Sequence, residues 1–73
     1  MKSYWYITSG NKKPKNRKLV SAGFKRGYTL LEFACEVDCD KLRECELVYL
    51  GYGELNSLSV QKELIKAIKR IRW

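Results

Sequence analysis

No histidine occurs in this chain of 73 residues, proline occurs once, and no acid precedes Glu32. Without imidazole there is no default general base, and no Ser-His or Cys-His nucleophile can be assembled. Glu32, Glu36, Asp38, Asp40, Glu44 and Glu46 remain as acid–base or cation-holding candidates. Glu32 and Glu36, however, stand four apart, the usual spacing of a solvated helical face. A chain this short also has little concavity in which to perturb a pKa. The expectation is a protein that is not an enzyme.

Cysteine is also scarce and odd in number, with Cys35, Cys39 and Cys45 inside eleven residues. Secreted disulfide scaffolds of this size usually carry an even set spread along the chain. A structural zinc site wants four ligands, and Asp38 or Asp40 would be an uncommon fourth beside three thiolates. No metal and no cofactor are therefore expected, and Cys35 and Cys39, one helical turn apart, suit small, partly buried thiols. No apolar run approaches the length of a membrane span, and Met1-Lys2-Ser3-Tyr4 leads into no apolar signal core. Together these point to a cytoplasmic protein with reduced thiols.

What the chain does have is segregated charge. All eight charged residues between Met1 and Tyr28 are basic, and all eight acids lie between Glu32 and Glu63. The last ten residues carry Lys66, Lys69, Arg70 and Arg72 and no acid, and the whole chain has a net charge of +7. Segregation of this kind produces fields that select partners by charge. A hydrophobic fraction of 45% with five tyrosines, two tryptophans and two phenylalanines is that of a folded chain. Residues 1–73 leave room for one domain and one modest core.

Tyr4-Trp5-Tyr6-Ile7-Thr8, aromatic and β-branched, reads as a strand bounded by Ser9-Gly10-Asn11. Asn11 to Lys18 reads as a loop, with five cations and the single Pro14. Leu19 to Phe24 resembles a second strand, so the two suggest a hairpin with a long cationic tip. Thr29 followed three residues later by Glu32 has the pattern of a capping box. Leu30, Phe33, Ala34 and Val37 then share one helical face. Asp38-Cys39-Asp40 interrupts that pattern, and a short turn of helix resumes through Leu42. Glu46-Leu47-Val48-Tyr49-Leu50 is nearly continuous in apolar residues, as a central strand would be, and Gly51-Tyr52-Gly53 ends it. Val60, Leu64, Ala67, Ile68 and Ile71 form the stripe of an amphipathic helix that Asn56, Ser57 or Ser59 can cap. The resulting expectation is a small α+β domain of order β-β-α-β-α, with a three-stranded sheet and two helices packed on one face.

Clustered cations attract phosphates because binding releases counterions, which makes Lys12, Lys13, Lys15, Arg17 and Lys18 the leading nucleic-acid-binding candidates. Lys66, Lys69 and Arg70 on the last helix form a weaker second set, since cations there also complement the helix dipole. That helix with Trp73 also has the character of a membrane-surface element, although its apolar stripe is needed for the core. Tyr4 and Tyr6 fall on the strand face opposite Trp5 and Ile7, and Tyr49 joins them in one register. Such tyrosines suit base stacking, a homodimer interface, or ordinary strand positions with wet hydroxyls. The turn Gly51-Tyr52-Gly53-Glu54-Leu55-Asn56 lacks the third glycine of a dinucleotide-binding turn. Two functions stand out: a small basic nucleic-acid-binding protein, DNA or RNA, or a protein-binding modulator or inhibitor that docks on a larger complex.

Overall fold

Strand β1 (Ser3–Ser9) alternates as its composition predicts, but neither of its faces is wet. Trp5 and Ile7 are buried on one side and Tyr6 and Thr8 on the other. A strand of this kind belongs in the middle of a sheet. The structure, a computed structural model, describes residues 2–10, 14–25 and 27–71, the side chain of Ile71 excepted. Lys12, Lys13, Arg26, Arg72 and Trp73 lie outside the described residues.

Four antiparallel strands form the sheet in the order β2-β3-β1-β4, with β2 Leu19–Lys25, β3 Tyr28–Phe33 and β4 Val48–Gly53. The helices are α1 (Cys39–Glu44) and α2 (Leu58–Ile71). The fold is thus α+β, with four strands rather than three. The additional strand comes from the segment whose spacing suggested the first helix. Tyr28–Phe33 buries Thr29, Leu31 and Phe33 alternately, a period of two, while Ala34 is exposed. Its two capping-box residues serve the sheet: the Thr29 hydroxyl donates to the Gly10 carbonyl at 2.7 Å, and the Glu32 carboxylate accepts from Ser3 and Ser21 at 2.7 and 2.9 Å. Within residues 28–47 helix is confined to α1, around Leu42.

The expected β1–β2 hairpin is also replaced. Both strands run antiparallel to β3, which lies between them, so they are parallel to each other. The end of β1 beside Tyr28 and the start of β2 beside Phe33 are therefore at opposite ends of β3, about 17 Å apart at strand rise. The hairpin that does form joins β2 to β3 by two residues, and Gly27 takes the left-handed φ of 81° that such a turn requires.

β4 is an edge strand, not a central one, and it runs on through Gly53. Its apolar run is explained by exposure rather than double burial, since Val48, Tyr49 and Tyr52 all reach solvent. A bulge interrupts its pairing with β1: Trp5 faces Gly51 and Tyr6 faces Tyr49, leaving Leu50 extra. Gly51 stands there at φ 148°, where a side chain would strain the backbone. The Trp5 indole donates to the Gly53 carbonyl at 2.8 Å and fastens the far end of this edge.

The two helices lie on opposite faces, not one. Val60 and Ala67 of α2 pack with Trp5, Ile7 and Leu50, and Leu64 and Ile68 flank them. Leu42 of α1 packs on the other side against the cluster of Tyr6, Leu31, Phe33, Val37 and Leu47. The division follows from β1, whose two buried faces each need a cover. Glu46 closes α1 at φ 54°, its amide bonded to Arg43 and that of Leu47 to Leu42, the pattern of a left-handed helix cap. Ser57 precedes α2 as expected of a cap, yet its hydroxyl is buried with no partner among the described residues.

Changing Trp5 to phenylalanine keeps most of the ring area and removes the donor to Gly53. Trp5→Phe should lower the unfolding free energy by about 2 kcal/mol, read as a lower urea midpoint at unchanged slope. An unmoved midpoint would show that the indole bond contributes nothing.

Candidate nucleic-acid interface

The basic connection is ordered at its carboxyl end by short-range hydrogen bonds. The Asn16 side-chain oxygen accepts the Lys18 amide at 2.9 Å, and its backbone carbonyl accepts the Leu19 amide at 3.1 Å. Asparagine favours this geometry because its side chain mimics a backbone acceptor two residues ahead. Arg17 and Lys18 occupy the centre of that turn and are exposed, as is Lys15. The Lys18 carbonyl accepts the Ala34 amide at 2.8 Å, which pins the turn to the end of β3. Among the described residues Lys15 and Arg17 have no acidic partner, and the Lys18 ammonium meets only the Cys35 sulfur at 3.6 Å.

Lys66, Lys69 and Arg70 are exposed on α2, which covers the Trp5 face. Lys18 lies toward the α1 face, where it shares a recess with Asn16, Cys35, Glu36, Asp38 and Lys41. Lys18 and the α2 cations are therefore on opposite sides of the sheet, and Lys66 is further engaged with Glu63 at 3.4 Å. Lys25 sits at the Tyr28 end of the sheet, away from Lys18.

On the α1 face the tyrosines come together. The bulge gives Tyr49 and Tyr52, three residues apart, the same facing, opposite Tyr6 and Tyr4 respectively. Tyr4 and Tyr52 have ring centroids 4.5 Å apart, Tyr6 and Tyr49 5.1 Å, and Tyr4 and Tyr49 6.5 Å. Tyr6 is not available as a platform, being 1% exposed with its hydroxyl accepting the Val37 amide at 2.9 Å. Tyr4 is half-buried, whereas Tyr49 and Tyr52 are 42% and 53% exposed. The sequence pattern therefore placed Tyr4, Tyr6 and Tyr49 on one face, as they are, and missed Tyr52, whose flanking glycines read as a turn.

A second recess, lined by Tyr6, Tyr49, Leu42, Glu36, Val37 and Asp38 among others, adjoins the first. Burial pushes the Tyr6 hydroxyl above its ordinary 10.0, opposed by its bond from Val37 and reinforced by Tyr49, Glu36 and Tyr4. Burial likewise raises Tyr49, with Glu36 and Tyr4 adding to the effect. Cys35 and Cys39 are exposed and Cys45 half-buried, so the first two are not the packed thiols their spacing suggested. No group of three or more metal-ligating side chains gathers among the described residues. Nor is any helix among them long and apolar enough to cross a membrane.

Both tyrosines bind their protons more tightly in the folded chain than in the unfolded one. The stability this confers is complete below pH 10 and is lost as pH rises through the raised values. Tyrosinate absorbance should therefore appear at higher pH in the folded protein than in urea, and Tyr49→Phe should narrow the difference. Coincident titration curves would contradict the burial of these hydroxyls. Comparison with protein-family models, with curated proteins and with solved structures finds no match to this chain.

Proposed function

We propose that this chain is a small, non-catalytic nucleic-acid-binding protein that holds phosphates through the cationic connection between β1 and β2. The observation that carries the reading is the hydrogen-bonded turn Asn16–Leu19, which presents Arg17 and Lys18 to solvent, Arg17 with no acidic partner among the described residues. A turn fixed in advance loses less conformational entropy on binding than a free loop. Lys15 extends the same strip, and Lys12 and Lys13 belong to the same connection in sequence. The recognition is electrostatic, so affinity falls steeply with salt and depends little on duplex sequence.

The test is a titration of nucleic acid at several salt concentrations. Joint replacement of Lys15, Arg17 and Lys18 by alanine should reduce the slope of log affinity against log salt by about 2 to 3. The same exchange at Lys66, Lys69 and Arg70, on the opposite side, should reduce it less. An unchanged slope in the first variant removes the connection from the account.

One observation favours a second reading, a modulator that docks on a larger protein. Edge strand β4 carries no charged residue and exposes Val48, Tyr49 and Tyr52. Uncharged edges of this kind accept another chain. A partner retained through nuclease treatment and high salt would support that reading over the first.

A further inference from the structure

The two recesses of the α1 face are separated by a single ridge, Glu36-Val37-Asp38, which lines both. On one side of it stands the exposed ring of Tyr49; on the other stand Lys18 and Lys41. Neither half is a site alone. Lys18 and Lys41 share their recess with two carboxylates, and Lys41 is also paired with Glu44 at 3.8 Å; Tyr49 is one strand tyrosine among several. Placed back to back, they match the parts of one nucleotide, with a π-face for the base and cations for the phosphate.

Resting on the nucleic-acid reading above, the geometry points to a pocket for one unpaired base, stacked on Tyr49 and read at its edge by the ridge carboxylates. The phosphate backbone then runs on the Lys18 side toward Arg17 and Lys15. The base must be unpaired, because a base inside a duplex offers neither a free face nor a free Watson–Crick edge. The ridge also discriminates among bases. Ionised Glu36 and Asp38 only accept hydrogen bonds. Guanine offers two adjacent donors on its Watson–Crick edge, which a carboxylate can accept together. Cytosine and adenine each offer one amino group there. Thymine and uracil flank their single donor with two carbonyl oxygens, which the carboxylates repel. Guanine is therefore the preferred occupant, and thymine or uracil the worst.

The experiment titrates the full chain, at low salt, with a ten-nucleotide thymine strand and with the same strand bearing one central guanine. The guanine strand should bind about tenfold tighter, the scale of a hydrogen bond to a charged acceptor. Tyr49→Ala should abolish that advantage, Tyr49→Phe should keep it, and Glu36→Gln should reduce it without weakening the thymine strand. Circular dichroism establishes that each variant is folded, and Tyr49 and Glu36 are both exposed. Equal, salt-sensitive binding of the two strands, unaffected at Tyr49, would overturn the base pocket and leave the phosphate reading standing. Binding of neither strand would overturn both and assign the tyrosines to a protein partner.

Discussion

Strand β1 has no face that can be left to water, and the rest of the molecule answers to that constraint. Trp5 and Ile7 on one side, and Tyr6 and Thr8 on the other, each demand cover from a chain of only 73 residues. α2 supplies fourteen residues to the first side. The second side receives the six residues of α1 and the short segments that flank it, held by the Val37 amide on Tyr6 and by the Thr8 hydroxyl on the Cys45 carbonyl. The second cover stops short, which leaves Tyr49 and Tyr52 open. The candidate site is thus where a small chain runs out of material to bury a doubly apolar sheet.

Legibility in the sequence followed the range of the interactions. β1, β2 and α2 were readable because aromatic alternation and a three-to-four spacing are local signals. Tyr28–Phe33 was misread because Leu30, Leu31 and Phe33 satisfy both periods over so short a span, and Thr29 with Glu32 imitates a helix start. Their actual partners, Gly10, Ser3 and Ser21, are distant in sequence and could not be anticipated. The strand order was hidden for the same reason. Tyr52 was missed because the bulge at Leu50 reverses the usual parity along β4. The cations of Lys15, Arg17 and Lys18 were visible at once, but nothing in the sequence told that Asn16 holds two of them in a turn.

The charge segregation along the chain becomes a segregation by side. α2 turns Lys62, Lys66, Lys69 and Arg70 away from the sheet, while the connection brings Lys18 beside the acids of the α1 face. The acids of the middle segment therefore do not form a separate negative domain. Glu32 is spent on strand hydroxyls, Asp40 and Glu44 on their helical neighbours Arg43 and Lys41, and Glu36 and Asp38 form the ridge between the recesses.

The place of β1 between β3 and β4 also orders events in time. Its partners on one side begin about twenty residues later in the chain, and those on the other side more than forty. Only the β2–β3 hairpin closes locally. During synthesis β1 has one face uncovered until the fourth element, α1, follows it, and the other until the sixth, α2. Contacts so distant in sequence make closure slow compared with a helical chain of equal length.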